Sequence, residues 1–323
     1  MRAITFTKAG DPVEVLEVSE VAISAPKRGE VRIWVSRSVI QPADFLFVRG
    51  VYRLKPCFPQ VAGFDGVGTV EALGEGMDEN LLGQRVAFRA PGAWAEFVIA
   101  PLSRIYRVPD DISDEVACQF ALNPFTAWGL LREASLPPGS RLLLTAGRSN
   151  VARLTARLAE RRGIRARLIA RCAGGYAVVD QHGTGNARPS TGIAEALALV
   201  GEDKSFDAIF DPVGGPGTLA LMDVAAAGAV LITYGALGDG PFEMKASAIV
   251  YKNLIWRGFG YDRFMSSLDE NSVARAGEEL WDVLRADPDL VPIRGAYALE
   301  QVRDAISAST ASGARGKVLL CIG

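Results

Sequence analysis

The stretch Arg141-Leu-Leu-Leu-Thr-Ala-Gly-Arg-Ser-Asn-Val-Ala-Arg-Leu-Thr-Ala-Arg-Leu-Ala-Glu-Arg161 decides the fold. Its first five residues, Arg141–Thr145, carry the apolar run Leu142–Leu144, the pattern of a strand buried on both faces, as in a parallel sheet. A segment rich in Ala, Leu and Arg follows, and predicts a helix over Val151–Arg162. A strand, a glycine turn and a helix in this order make an anion site. The first helical turn offers free N–H groups and a partial positive charge to a pyrophosphate. Gly147, Arg148, Ser149, Asn150 and Val151 are the residues so placed. Only Gly147 remains of the three glycines usual in such turns, because Asn150 and Ala152 occupy the other two positions. An ordinary strand–helix turn is the other reading of this segment alone.

Working outward, Arg165–Ala170, Phe206–Phe210 and Ala229–Thr233 read as strands, and Ile193–Val200 and Thr218–Ala227 as helices. Alternation of this kind implies a parallel sheet covered on both faces. One step breaks the pattern. Tyr176-Ala-Val-Val-Asp180 follows Arg165–Ala170 after only Arg-Cys-Ala-Gly-Gly. A parallel crossover needs a dozen or more residues, so a hairpin with an antiparallel second strand is expected. The helix that would wall an adenine pocket is then missing, leaving that side open and cofactor binding weaker. At the end of the second strand, an acidic residue suits the ribose of NAD and an arginine suits the 2′-phosphate of NADP. Between Glu160 and Asp180 there is no Asp or Glu but five arginines: Arg161, Arg162, Arg165, Arg167 and Arg171. Arg171, just past the strand, is assigned to the phosphate; a solvated basic face is the alternative.

Before this region the chain is β-rich. Val31–Ser36 alternates like a half-buried strand, Gly63–Glu71 is glycine-dense, and Arg85–Arg89 and Ala95–Ile99 are short strands. Such punctuation suits a compact barrel-like domain. After it come a helix (Asp269–Arg285), a strand (Val291–Ala296), a helix (Leu299–Ala308) and a strand (Lys317–Cys321) that return to the first domain. Two domains are expected, 1–121 with 268–323, and 122–267, in keeping with 323 residues of which 49% are apolar. A net charge of −2 gives no reason to expect nucleic acid or an anionic membrane as partner. There is no signal-peptide pattern at the start and no segment approaching the ~20 apolar residues of a spanning helix. Cys57, Cys118, Cys172 and Cys321 lack metal or redox spacing, so reduced thiols in a cytoplasmic protein are expected.

Several stretches together carry a family likeness: Gln41-Pro-Ala-Asp with Gly50-Val-Tyr52, Pro59-Gln-Val-Ala-Gly-Phe-Asp-Gly-Val-Gly-Thr-Val70, and Leu122-Asn-Pro-Phe-Thr-Ala-Trp128. Asp211-Pro-Val-Gly-Gly215, Thr233-Tyr-Gly-Ala236, Lys252-Asn-Leu-Ile-Trp-Arg-Gly-Phe259 and Arg315-Gly-Lys-Val-Leu-Leu320 follow in order. Over its whole length the chain resembles the zinc-free medium-chain reductases: quinone oxidoreductases and, more closely, mitochondrial-type 2-enoyl thioester reductases. The resemblance implies an α/β protein with a GroES-like β-barrel catalytic domain, a Rossmann-type doubly wound dinucleotide-binding domain and a cleft between them. It also implies NADPH and a homodimer. Matching positions put Asn123, Thr126, Tyr234, Gly235, Ala236, Phe259 and Lys317 around the cofactor, with Gln41 in place of the family's asparagine. Tyr52 matches the tyrosine proposed as proton donor in enoyl thioester reductases.

Zinc-dependent relatives carry a His-Glu pair where this chain has Phe64-Asp65, and the only histidine is His182, in the polar stretch Asp180–Ser190. Catalytic zinc needs about three N, S or O ligands together, so no metal is expected. His182 is read as a surface loop residue. Hydride delivered to the β-carbon of a conjugated carbonyl leaves an enolate, which needs hydrogen-bond donors and a proton at the α-carbon. A phenol is ordinarily protonated at neutral pH, so Tyr52 is the candidate acid, against the alternative that it packs the barrel. Phe45, Phe47 and Trp256 are available to line an apolar substrate pocket, or else belong to the core. The expected function is NADPH-dependent reduction of an activated C=C bond, such as a 2-enoyl thioester. Quinone reduction is the alternative within enzymes, and a cofactor-impaired binding or structural protein the alternative outside them.

Overall fold

The computed structural model describes residues 1–182, 184, 189–199, 201, 205–238, 241, 244–311 and 315–323. Two units result. One comprises Met1–Leu122 with Val291–Gly323, the other Asn123–Leu290. Helix Glu270–Ala286, read above with the first domain, goes with the second unit. Asp269 caps it by accepting from the Ser272 amide at 2.7 Å, and Trp128 Nε1 donates to Glu279 Oε2 at 2.9 Å.

The first unit is built on a seven-stranded sheet. Its path runs Ile293–Ala298, Lys317–Cys321, Glu30–Val39, Asp65–Leu73, Arg85–Arg89 and Ile105–Arg107, with Phe97–Pro101 also pairing Glu30–Val39. Val31, Ile33 and Val35 alternate inward and are fully buried, as a period of two requires. A three-stranded sheet of Glu17–Glu20, Arg2–Phe6 and Gln60–Val61 closes the unit. The core between them holds Phe6, Phe47, Phe88 and Trp94. Of the expected strands, Arg85–Arg89 is present as read, and Val31–Ser36 and Ala95–Ile99 are present with shifted ends; the glycine-dense Gly63–Glu71 stretch lies largely in strand Asp65–Leu73.

The second unit is a six-stranded sheet in the order Gly175–Val179, Arg165–Cys172, Arg141–Leu144, Phe206–Asp211, Ala225–Thr233, Ile255–Gly258. Every neighbouring pair is parallel except the first, where Leu168 faces Val179 and Cys172 faces Gly175 in an antiparallel hairpin. Gly174 and Gly175 make the turn with φ of 88° and 137°, in the region that L side chains avoid. The hairpin expected from the short Arg171–Gly175 link is therefore there. The order of crossovers reverses between Arg141–Leu144 and Phe206–Asp211, the switch point at which a doubly wound sheet opens a crevice.

Without a crossover helix, the sheet face beside helix Asn150–Arg161 carries a groove of about 730 Å³ lined by Ala156, Glu160, Arg165, Arg167, Val178 and Asp180 among others. Arg153, fully buried on that helix, donates to the carbonyls of Gln181 (2.7 Å) and Asp289. The guanidinium thus ties the segment after the hairpin, and the turn Pro288–Leu290, to the helix.

Two expected helices end early. Ile193–Val200 is helical over Ile193–Ala198, and Val200 lies outside the described residues. Thr218–Ala227 stops at Val224, and the strand begins at Ala225. Lys252 Nζ explains the stop. It donates to the carbonyls of Met222 (2.9 Å), Asp223 (3.1 Å) and Ala225 (2.9 Å), satisfying the helix end that Ala226 and Ala227 would otherwise prolong. No helix among the described residues is long and apolar enough to cross a membrane.

Candidate functional site

In the second unit the candidate residues gather at the carboxyl ends of the parallel strands. Helix Asn150–Arg161 starts on Ser149, whose hydroxyl accepts from the Ala152 amide at 3.2 Å. Ala146, in the turn before it, holds a φ of 47°, a strained value for a residue with a Cβ. Gly147 donates its amide to the Ile169 carbonyl at 2.8 Å. A Cβ on it would stand 2.9 Å from Leu168 Cβ and 3.0 Å from Val179 Cγ2, so the glycine answers a close approach to the hairpin.

Across the switch point, the Thr145 hydroxyl donates to buried Asp211. The same carboxylate accepts from the amides of Val213 (3.1 Å) and Gly214 (2.9 Å), which folds the Asp211–Gly215 turn over it. Tyr234, whose amide donates to the Asp211 carbonyl, has its phenol pushed up by burial and by the Asp211 charge, against a hydrogen bond with Ser149. Ser149, Asp211, Tyr234 and the neighbouring Gly235 and Ala236 therefore form one rim. Asn123 and Thr126 are buried on the first turn of helix Asn123–Ala134. Phe259 packs on the same helix, where its ring would crowd any side chain at Gly129, and donates its amide to the Thr233 carbonyl.

Arg148 Nη1 donates to the Arg171 carbonyl at 2.8 Å, and Arg171 is exposed near the end of its strand. The donor set of this rim is the first turn of a twelve-residue helix, with Val151 in it, together with the Arg148 guanidinium, beside which Arg171 is exposed. Such a set suits phosphates, and the residues present fit a phosphorylated dinucleotide.

The first unit gathers a different set. Helix Pro42–Val48 is capped at Gln41, whose amide donates to Asp44 Oδ2 at 2.6 Å. After it, Gly50 turns with a φ of 71°, and the amides of Val51 and Tyr52 both donate to the Leu46 carbonyl at 3.0 Å. This presents Tyr52, part-exposed, with its ring 5.5 Å from that of Phe64 and the Arg53 guanidinium 5.4 Å from its own centroid. Arg89 Nη2 donates to Tyr52 Oη at 3.4 Å, while Nη1 is paired with Asp65 Oδ2 at 2.5 Å.

Asp44 and Asp65 are both fully buried and lie within each other's field. Burial and Asp65 push the Asp44 carboxyl up to about 8, opposed by the Gln41 amide, Arg89 and Lys317. Burial raises Asp65 as well, opposed by Arg89 and Gln41. Burial draws the Lys317 ammonium down to about 8, against the attraction of Asp44 and Asp65. Gln41, Tyr52 and Lys317, named separately from sequence, thus stand around one buried charge cluster with Asp44, Asp65 and Arg89. The last three were missed. Their signal was the presence of charged residues inside otherwise apolar strand and helix patterns.

Phe47 is core, meeting Phe6 edge-on and Phe64 at a tilt; Phe45 is part-buried against the same core. Trp256 donates from Nε1 to Thr233 Oγ1 at 3.1 Å. The His182 side chain is part-exposed, in a turn whose amides at 182 and 184 donate to Asp180. Among the described residues no group of three or more His, Cys, Asp or Glu is arranged to hold a metal.

Residues 27–110 match the model of the alcohol dehydrogenase GroES-like domain. The quinone oxidoreductase of Lama guanicoe is 28% identical over 336 residues, covering 100% of this chain and 98% of that protein. The mitochondrial enoyl-[acyl-carrier-protein] reductase of Bos taurus is 26% identical over 330 residues, covering 99% and 88%. Over its whole length the chain is thus similar to members of the zinc-free medium-chain dehydrogenase/reductase superfamily. Among solved structures, a mycobacterial protein complexed with NADPH superposes on this chain with a TM-score of 0.81. It is 25% identical and covers 99% of each chain. The GroES-like unit thus carries Tyr52, and the Rossmann-like unit carries the phosphate-suited rim.

Proposed function

We propose that the chain is an NADPH-dependent oxidoreductase that reduces an activated C=C bond, a 2-enoyl thioester or related enone, with Tyr52 as proton donor. The observation that carries this reading is the Tyr52 hydroxyl, held part-exposed by the turn at Gly50 and hydrogen-bonded by Arg89. NADPH supplies a hydride when bound, which is the hard part of the chemistry. The first turn of helix Asn150–Arg161 and Arg148 would hold its pyrophosphate, and Arg171 its 2′-phosphate. Tyr234, Gly235, Ala236, Asn123, Thr126 and Phe259 would shape the rest of the site in the second unit; Gln41 and Lys317 are the cofactor-binding residues proposed in the first. Tyr52 gives its proton to the α-carbon of the enolate that hydride addition leaves on the substrate. The working form we infer is a cytoplasmic homodimer, with no metal in the reaction.

Quinone reduction is the second reading, favoured by the 28% identity to a quinone oxidoreductase over the full chain. A quinone needs hydride but no proton placed on carbon. Tyr52→Phe separates the two. Reduction of crotonyl-CoA with NADPH should fall at least 100-fold in kcat, a general-acid effect of ordinary size, while 1,4-benzoquinone reduction changes less than threefold. Crotonyl-CoA reduction at the wild-type rate in the variant would remove Tyr52 from the reaction.

A further inference from the structure

We infer that Arg89 is a positioning residue for Tyr52: anchored on Asp65, it donates to the phenol oxygen and so commits the Tyr52 O–H to the substrate. This rests on the reading of Tyr52 as proton donor. Strand register makes the anchor. Asp65 opens strand Asp65–Leu73, Arg89 closes strand Arg85–Arg89, and the two face each other in the antiparallel ladder. Directly opposed residues share a face, so the guanidinium and carboxylate meet with side-chain exposures of 6% and 1%. The guanidinium also lies 5.2 Å from the Phe64 ring, which packs on Tyr52. One side chain thus contacts the buried carboxylate, the aromatic ring behind the phenol and the phenol oxygen.

Chemistry gives this geometry its direction. A guanidinium has five N–H donors and no acceptor. Its contact with Tyr52 Oη can only be Arg89 donating, so the phenol proton is not drawn toward Arg89 and stays available to an acceptor outside the cluster. The other charged groups around the pair are Arg53, whose guanidinium lies 5.4 Å from the Tyr52 ring centroid, and Asp44 and Lys317, which lie within the fields of Asp65 and of each other. In the step itself, hydride from NADPH forms the C–H bond at the β-carbon as NADPH is oxidised to NADP⁺, and the C=C electron pair moves onto the enolate. The Tyr52 O–H bond then breaks, its proton forms the C–H bond at the α-carbon, and the phenolate takes a proton back from water. Negative charge builds on Oη, and a donor already cationic and already in place holds it better than water does. A hydrogen bond stronger in the transition state than in the ground state appears in kcat more than in KM.

The test uses the full-length protein with NADPH and crotonyl-CoA, comparing wild type, Arg89→Lys, Tyr52→Phe and the double variant. Arg89→Lys keeps the charge for Asp65 but loses the fork that reaches both partners. We expect kcat to fall at least tenfold in Arg89→Lys, with KM and the NADPH Kd within threefold of wild type. We expect no further loss when Arg89→Lys is added to Tyr52→Phe. A second readout needs no turnover: the tyrosine Fermi doublet in the Raman spectrum, taken as wild type minus Tyr52→Phe, reports Oη as a hydrogen-bond acceptor and should shift in Arg89→Lys. Should Arg89→Lys not fold, Arg89→Met with Asp65→Leu removes both buried charges together, and the same kcat loss and shift are expected. Wild-type kcat and an unshifted doublet, or an equal loss in the Tyr52→Phe background, would overturn the role of Arg89. If Tyr52→Phe loses activity and Arg89→Lys does not, this inference alone fails. If Tyr52→Phe is itself inert, the proton-donor reading falls with it.

Discussion

The amide of Gly147 donates to the carbonyl of Ile169 at 2.8 Å, which binds the turn at the head of helix Asn150–Arg161 to the second strand of the sheet. The backbones approach so closely that a methyl at Gly147 would meet Leu168, Val179 and the Ile169 nitrogen at 2.9 to 3.1 Å. Gly147→Ala should therefore destabilise the protein by roughly 1–3 kcal/mol, an overpacking effect. Urea unfolding measures it; a variant as stable as wild type would show that the turn and hairpin separate more easily than their contacts indicate.

Arg153 offers a second measure of how the hairpin is held. Its buried guanidinium serves the carbonyls of Gln181 and Asp289, two segments with no strand pairing between them. Arg153→Met keeps much of the side-chain bulk and removes these donors. The cost should be about 1.5–3 kcal/mol, the size of a hydrogen bond to a charged group, since both carbonyls are part-buried or exposed and can turn to water. Urea unfolding again measures it, and limited proteolysis should cut earlier near Gln181. Unchanged stability would mean water replaces the guanidinium there.

The buried cluster of the first unit sets a pH dependence. Asp44 titrates near 8 in the fold and near 4 when unfolded. Its raised value means the fold holds a proton that the unfolded chain has already lost. The contribution of Asp44 is thus fully present below about pH 4 and is lost as pH rises toward 8, at up to about 1.4 kcal/mol per unit. Lys317 behaves oppositely. Its folded value is drawn below the unfolded one, so its contribution is present above about pH 10.5 and is lost as pH falls toward 8. Wild type should lose stability relative to Asp44→Asn as pH rises from 5 to 8, measured by urea unfolding at each pH. Parallel curves for the two proteins would show that Asp44 is ionised in the fold throughout.

Much of the fold is legible in the sequence because its strongest signals are local. Leu142–Leu144 read as a strand buried on both faces, and they are. Five residues between Ala170 and Tyr176 could not house a crossover, and the chain turns a hairpin there. What was not legible depends on contacts between distant segments. The end of helix Thr218–Val224 is set by Lys252, some thirty residues on, so alanines that favour helix begin a strand instead. The role of Gly147 is invisible until the hairpin packs on it. Arg89 and Asp65 lie 24 positions apart and become partners only through the register of two strands. Tyr52 and Lys317 could be named one by one, but the buried acid–base cluster that joins them could not.

Binding of NADPH in preference to NADH, with Arg171 proposed to hold the 2′-phosphate, is open to direct measurement. Titration of the purified protein with NADPH and with NADH, followed by cofactor fluorescence in wild type and Arg171→Ala, tests it directly. NADPH should bind wild type at least tenfold more tightly than NADH. Arg171→Ala should weaken NADPH about tenfold or more, as loss of a charge-assisted contact of roughly 1.5–3 kcal/mol requires, and leave NADH within twofold. No binding of either nucleotide up to about 1 mM, equivalent to less than about 4 kcal/mol, would contradict the oxidoreductase reading and favour a binding or structural role for the fold.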